Sequence, residues 1–427
     1  MPTSVFSILI RAGLVALVLL LLDWYVFQAV KIAFQRVSFR NWIYFFYWSA
    51  YISFIVLVAV GLAQPSLREG KGQQIIQFIM GFFVFWYVPK LVVVLFLLGE
   101  DIFRVTRGLA SQIASPAYGG NESVFLITRS EFLSRLGILL VTIPMAAVGY
   151  GIVRGRYQFR VRKVNIFFPN LPDSFDGFTI AQISDIHIGS FSDTTAIAEG
   201  ISMVNQLKPD IITFTGDLVN NRADEIEPFF NILSNLKSKY GNYSVLGNHD
   251  YGDYVSWPSR EAKKDNLDRL IKYHQELGFQ LLLNSGVEIE RNGEKIGIAG
   301  VENWGLPPFP QKGNIAQAIN QISDTPFRIL LSHDPTHFDE VITKSKDKYR
   351  ADLTLSGHTH GLQFGIELGN IRWSPVKYKY PKWADLYQVE NQYLYVNRGF
   401  GFIGFPGRVG ILPEITHITL HKTKTLS

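Results

Sequence analysis

The sequence predicts two dissimilar parts: an N-terminal α-helical transmembrane bundle of about four helices, then a C-terminal α/β domain. Three observations carry this. Apolar stretches at about 8–30, 42–64, 74–98 and 132–153 crowd the first third, each near the ~20 residues that cross a bilayer. From residue 157 onward, short β-prone runs alternate with amphipathic helical patterns. Charge is divided unevenly: residues 1–150 carry 11 Lys/Arg against 6 Asp/Glu, leaving 30 of each for the remainder, out of 41 and 36 in all. The boundary falls between a transmembrane domain at 1–154 and a second domain at 155–427.

Composition narrows the chemistry. The absence of cysteine excludes disulfides, zinc–thiolate sites and a cysteine nucleophile. The neutral C-terminal part lacks the electrostatic footprint of a nucleic-acid binder.

Taken in order, the first apolar segment is too long for a removable signal peptide and lacks a small-residue cleavage site, so it reads as an anchor. Trp24, Tyr25, Trp42, Tyr44, Trp86 and Tyr87 sit near segment ends, as an interfacial belt would. Asp23 and Lys90 lie inside apolar runs, where both could snorkel to the interface or pair with each other between helices 1 and 3. Residues 100–113 read as a short interfacial helix. Thr128-Arg129-Ser130-Glu131 reads as a capping box opening the fourth helix. Lys31, Arg36, Arg40, Arg104, Arg107, Arg129 and Arg135 fall on one side. Arg68, Lys71 and the dense cluster Arg154, Arg156, Arg160, Arg162 and Lys163 fall on the other. The cluster favours a cytoplasmic C-terminal domain, and it suits anionic lipid headgroups.

Beyond the membrane part, residues 157–168 alternate as a strand. The strand starting at Phe178 leads to Asp185 and His187. Asp193 caps a helix with Ile197, Ile201, Val204 and Leu207 on one face, ended by Pro209. Ile211–Thr215 runs into Gly216-Asp217, and a helix is expected at about 226–239. Tyr243–Leu246 runs into Gly247-Asn248-His249-Asp250, and another helix is expected at about 264–277. Asn292-Gly293 marks a hairpin turn. Phe327–Leu331 leads to His333. Leu353–Leu355 leads to Gly357-His358-Thr359-His360-Gly361, where two histidines one residue apart would project together from extended backbone. Ligands in such α/β sheets gather beyond the carboxyl ends of strands. Gly399-Phe400-Gly401-Phe402-Ile403-Gly404 matches a dinucleotide fingerprint, but Pro406 and Gly407 follow where a helix is needed, so nucleotide binding there is not expected.

Five of nine histidines, His187, His249, His333, His358 and His360, stand at strand ends beside Gly, Asp or Asn. His274, His337, His417 and His421 lack that setting and read as structural. Imidazoles, carboxylates and an amide oxygen converging in this way suit a divalent transition metal such as Mn, Fe or Zn better than calcium.

The set Asp185-x-His187, Gly216-Asp217, Gly247-Asn248-His249-Asp250, His333 and Gly357-His358-Thr359-His360 resembles the calcineurin-like metallophosphoesterase family in order and spacing, over about 157–420. Phe175-Asp176-Gly177-Phe178 and Pro413-Glu414-Ile415 resemble its membrane-associated subfamily. Two departures are mild: Asp250 stands for a commoner Glu, and Leu362 for a commoner Gly. The resemblance implies two mixed β-sheets packed as a sandwich, flanked by helices. It implies that Asp185, His187 and His360 bind one of two divalent metals, that Asn248, His333 and His358 bind the other, and that Asp217 bridges them. It gives His249 the role of general acid or oxyanion stabiliser and makes Asp250 the residue that orients it. Two such ions acidify a bridging water, which then attacks phosphorus. The expected activity is hydrolysis of a phosphoester or pyrophosphate bond, in a lipid-linked or membrane-proximal substrate, with membrane lipid and no nucleic acid as partner. Aromatic loop residues Tyr251, Tyr254, Trp257 and Trp304 could touch lipid or simply pack. The alternative is a membrane sensor or transport-linked protein with a regulatory or degenerate phosphoesterase domain. Asp23 and Lys90 are its transport-like features, and the intact donor set argues against it.

Overall fold

A computed structural model describes residues 5–63, 72–113, 123–345, 349–369 and 371–423. The chain divides into two compact units, Met1–Tyr150 and Gly151–Ser427.

The first unit holds long helices α1 (Val5–Phe34), α2 (Arg40–Ala63), α3 (Gly72–Ile113) and α4 (Ser123–Val153). Each contains a span apolar and long enough to cross a membrane. Leu19, Phe54, Ile79 and Tyr87 form one inner cluster, and Val26, Val30, Tyr47 and Val93 another. Leu14, Leu95, Leu139 and Ile143 face outward, as a lipid solvent allows. Lys90 is ion-paired with the buried Asp23, and its Nζ lies 4.1 Å from the Trp86 ring centroid. Tyr87 donates to Asp23 at 3.0 Å. The two intramembrane charges thus satisfy one another between α1 and α3. Two expectations differ. Residues 100–113 continue α3, because Gly99 alone does not end a helix whose apolar pattern persists beyond it. α4 starts at Ser123, so Thr128–Glu131 lies within it and not at its N-terminus. Arg68 and Lys71 lie outside the described residues.

The second unit opens with β1 (Arg160–Phe168), a few residues later than expected because Gly155–Tyr157 forms a 3-10 turn. Next come β2 (Phe178–Ile183), α5 (Thr194–Gln206), β3 (Ile211–Phe214), α6 (Phe230–Leu233), β4 (Asn242–Ser244), α7 (Arg260–Glu276) and β5 (Phe279–Leu281). β6 (Ser285–Arg291) and β7 (Glu294–Gly300) form the hairpin expected at Asn292-Gly293. α8 (Ile315–Asn320), β8 (Arg328–Leu331), β9 (Leu353–Ser356), β10 (Ile366–Leu368), β11 (Ile371–Trp373), β12 (Asp385–Val389), β13 (Gln392–Val396) and β14 (Glu414–Lys422) complete it. Asp193 caps α5 by accepting from Thr195 and Ala196. The helix expected at 226–239 is instead a 3-10 segment, Ala223–Phe229, and the short α6. Pro228 lacks the N–H that a regular α-helix would use there.

Two six-stranded mixed sheets, β1-β14-β2-β3-β4-β5 and β12-β13-β9-β8-β7-β6, pack face to face. Ile166, Phe178, Ile180 and Ile211 from one meet Ile298, Ile329, Leu331, Leu353 and Leu355 from the other. α5 and α7 cover the outer face of the first sheet through Ile197, Ile201, Val204 and Leu270, and α8 covers the second. The parallel strands β2, β3, β8 and β9 end at the same rim, where the candidate residues follow each of them.

His274 lies wholly buried under β4, its Nδ1 3.0 Å from Ser244 Oγ. Burial pulls its pKa down to about 3, from 6.5. A depressed folded-state pKa gives stability that is complete above pH 6.5 and is lost as pH falls toward 3. Over that interval His274 contributes about 1.4 kcal/mol per pH unit to acid destabilisation. Urea unfolding of His274→Gln is expected to show a shallower acid limb than wild type, and an unchanged slope would contradict this.

Candidate metal centre

Each donor is delivered by a loop just past a strand end. Asp185 and His187 follow β2, Asp217 follows β3, Asn248 and His249 follow β4, His333 follows β8, and His358 and His360 follow β9. Five of these are held with left-handed backbone: Asp185 (φ 51), His187 (φ 48), Asp217 (φ 59), His358 (φ 70) and His360 (φ 51). Such conformations disfavour L side chains and persist only where the surroundings impose them. The expectation of extended backbone at His358 and His360 is therefore corrected: β9 stops at Ser356, and both residues turn inward. Gly357 permits this, because a Cβ there would lie 2.1 Å from Asp185 Oδ2.

The donors lie in two adjoining groups. His187 Nε2 and His360 Nε2 are 3.0 Å apart, and Asp185 Oδ1 is 3.2 Å from His360 Nε2. In the other group, His333 Nε2, His358 Nδ1 and Asn248 Oδ1 lie 2.9–3.2 Å from one another. Asp217 Oδ2 stands 3.5 Å from His187 Nε2 and 3.2 Å from His333 Nε2. Donors about 2.1 Å from one cation, at angles of about 90–110°, lie roughly 3.0–3.4 Å apart. Convergent imidazole nitrogens at this spacing fit a divalent metal centre, and Asp185-His187-His360 and Asp185-Asp217-His333 are each compact enough to hold an ion.

The electrostatics agree. Burial lowers the pKa values of His187, His358 and His360, leaving neutral rings with lone pairs available. Burial alone would raise Asp185 and Asp217, but neighbouring histidines hold both below the usual carboxylate range. His333 is the exception: against burial, the Asp217 and Asp185 charges raise it to about 10. A cation there would take the place of its proton.

Outer partners fix the rings. His333 Nδ1 is 2.7 Å from the Thr215 carbonyl, and His358 Nε2 is 2.8 Å from Tyr380 Oη and 3.3 Å from Asp334 Oδ2. Tyr254 accepts from Asn248 Nδ2 at 2.8 Å, and its ring lies 4.4 Å from that of His249, tilted by 33°. The expected role of Asp250 is corrected. Its carboxylate does not reach His249; it accepts the backbone N–H groups of Asp217, Leu218, Val219 and Gly247 at 2.8–3.3 Å. His249 is oriented instead by Asn220, whose carbonyl lies 2.8 Å from its Nδ1. Tyr254, expected to touch lipid or simply pack, instead contacts Asn248 and His249, and the sequence did not single out Asp334, Tyr380, Asn220 or Arg408. Asp334 had a signal, since it directly follows His333. Arg408, buried with Nη2 3.1 Å from His360 Nδ1, had none. The glycine-rich 399–404 loop is a backbone strap: Phe400 N donates to Ser184 O and Gly401 N to Asp185 O. His337, stacked on Trp304, and His274 lie apart from the centre.

Residues 178–362 match the family described as "Calcineurin-like phosphoesterase". The Bacillus subtilis protein described as "Uncharacterized metallophosphoesterase YkuE" is 30% identical over 304 residues, covering 70% of this chain and 99% of that one. The chain belongs to the calcineurin-like metallophosphoesterases. Residues 6–156 match a second family, "Probable Calcineurin-like phosphoesterase, transmembrane domain", making this a membrane metallophosphoesterase. A Danio rerio relative, "Transmembrane protein with metallophosphoesterase domain", is 28% identical over 304 residues, 69% of this chain and 64% of that protein. Among solved structures, Haemophilus influenzae NAD nucleotidase (NadN) aligns with a TM-score of 0.37 at 15% identity, over 52% of this chain and 45% of that one.

Proposed function

We propose that this membrane metallophosphoesterase hydrolyses a phosphoester or pyrophosphate bond in a lipid-linked or membrane-proximal substrate, using two divalent ions, with its catalytic domain on the cytoplasmic face. The observation that carries the two-ion reading is the position of Asp217 Oδ2, 3.5 Å from His187 Nε2 and 3.2 Å from His333 Nε2. One carboxylate so placed serves both donor groups. Asp185, His187 and His360 would hold one ion, and Asn248, His333 and His358 the other. When bound, the ions supply an acidified water and a positive clamp for phosphoryl oxygens. The mixed N/O donors suit Mn, Fe or Zn.

The remaining work falls to His249. Its Nδ1 faces the Asn220 carbonyl, so that nitrogen carries a proton and Nε2 is the atom free to exchange one. His249 is half-buried, with its ring 4.9 Å from that of His187, beside the centre and open to substrate. It donates to the leaving oxygen. Arg154, Arg156, Arg160, Arg162 and Lys163, just past the fourth span, support the cytoplasmic placement. The pairing of Lys90 with Asp23 accounts for the two membrane charges without a transport role.

Mn-loaded protein is expected to hydrolyse bis-p-nitrophenyl phosphate. His249→Asn should slow an alkyl phosphodiester on the order of 10²–10⁴-fold and a p-nitrophenyl ester far less, because p-nitrophenolate leaves without a proton. Absence of metal-dependent hydrolysis of any phosphoester would overturn the reading, and equal losses on both esters would remove the acid role.

A further inference from the structure

One small element of the catalytic unit is built inside out. β10 and β11 pair only with each other, as a two-stranded ribbon outside both main sheets. In a ribbon, alternate residues share a face. Ile366 pairs with Trp373, and Leu368 with Ile371, so these four lie on one face; Glu367 and Arg372 pair on the other. The charged face is ion-paired to the main fold, with Glu367 half-buried and Arg372 exposed. Glu367 accepts from Arg398 Nε at 2.8 Å and is also paired with Arg162, while Arg372 is paired with Asp385. The apolar face points out: Ile366 is 49% exposed, Leu368 72% and Ile371 67%. A soluble ribbon shows the opposite polarity.

Two further apolar side chains close to the ribbon in sequence are also exposed. Tyr378 is 78% exposed, between the exposed Lys377 and Lys379. Leu362 is exposed although its backbone is left-handed (φ 54), a conformation that glycine adopts freely and an L side chain does not.

The occupant is indicated by what the ribbon is tied to. The fourth membrane-competent span runs to Val153, and its last residues, from Gly151, belong to the catalytic unit. Gly151 O accepts from Arg408 N at 3.1 Å. The next residue, Val409, donates to Gln363 O at 2.8 Å and accepts from Gly365 N at 2.9 Å, immediately before β10. Three consecutive backbone links therefore join the end of a membrane span to the base of the ribbon. The exposed cations nearby, Arg154, Lys377 and Lys379, complement anionic headgroups.

We propose that Leu362, Ile366, Leu368, Ile371 and Tyr378 form a bilayer-docking surface that seats the catalytic unit on the membrane carrying its own anchor. The inference deepens the membrane-proximal reading of the substrate and rests on it only for the activity measurement below.

Because the chain has no cysteine, single probe sites can be placed directly. Full-length Leu368→Cys and, as a control on α7, Lys272→Cys are labelled with the fluorophore NBD. Each is reconstituted in nanodiscs of phosphatidylcholine and phosphatidylglycerol containing doxyl-labelled lipid. The probe at 368 is expected to be quenched at least about twofold more than the probe at 272. Equal quenching would overturn the proposal. So would energy transfer between donor- and acceptor-labelled copies at 368 without lipid quenching, which would assign the surface to a second copy. In a second measurement, Leu368→Asp combined with Ile371→Asp should leave bis-p-nitrophenyl phosphate hydrolysis unchanged and lower hydrolysis of an acyl-chain p-nitrophenyl phosphodiester in the disc about fivefold. Quenching at 368 with no turnover of the acylated ester by wild type would keep the docking surface and discard the lipid-linked substrate.

Discussion

Asp217→Asn is expected to lower Mn-dependent hydrolysis of bis-p-nitrophenyl phosphate by on the order of 10³-fold, and to reduce bound metal from two ions per chain to one or none. Asp217 does two things at once. Its Oδ2 stands between His187 and His333, and its Oδ1 accepts the His249 backbone N–H at 2.8 Å. Asparagine keeps the size and can keep the second contact. It removes the negative charge that would offset both cations, and a neutral amide oxygen is a poor bridge between them. Loss of one well-placed electrostatic contact typically costs about 10²–10³-fold, and here assembly of the centre is lost as well. Metal analysis and steady-state kinetics on the same preparation decide it: a variant with full activity and two ions would refute the bridging role.

Asp250→Asn is expected to destabilise the catalytic unit by about 3 kcal/mol, and to lower activity through Asp217 rather than through His249. The carboxylate accepts four backbone N–H groups, with Oδ2 serving Asp217 and Gly247, and Oδ1 serving Leu218 and Val219. Burial and the Asp217 charge raise its pKa to about 7, so at pH 8 it is charged. An amide has one acceptor oxygen. Its NH₂ would face two N–H donors, leaving them buried and unpaired at roughly 1–3 kcal/mol each. For a domain of this size the melting temperature should fall by roughly 6–12 °C. The discriminating readout is the leaving-group dependence of the residual activity. If Asp250 acts only on the Asp217 loop, that dependence matches wild type, whereas a dependence like that of His249→Asn would restore the orienting role read from the sequence.

The contrast between these residues shows what a sequence reveals here. Asp217, His333 and the 358/360 pair each follow an apolar run, so strand periodicity placed each at a strand end, and the family resemblance supplied the two packed sheets that bring those ends to one rim. The membrane spans were equally plain, since ~20 apolar residues in a row have few other uses. What stayed hidden depends on where atoms point. Asp250 adjoins His249 in the chain, yet the 3-10 turn at His249–Tyr251 sends its carboxylate back to the β3 loop. The left-handed residues at 358 and 360 gave no sign, because histidine has no strong preference for that conformation. Arg408 reaches His360 across 48 positions, a relation that only the closed sheets create. The apolar face of β10–β11 looked like an ordinary strand pattern, and its reversal shows only once the partners of Glu367 and Arg372 are known.

The position of β14 has a consequence for biosynthesis. It lies between β1 and β2, parallel to the first and antiparallel to the second. β1 begins only seven residues after the last membrane span ends, at Arg160 against Val153. During translation the anchor is therefore in place long before residues 414–422 emerge, and until then β1 has no neighbour and one edge of β2 is open. The first sheet closes only once residues 414–422 have emerged, and until then its unpaired strand edges are the kind of surface that chaperones shield.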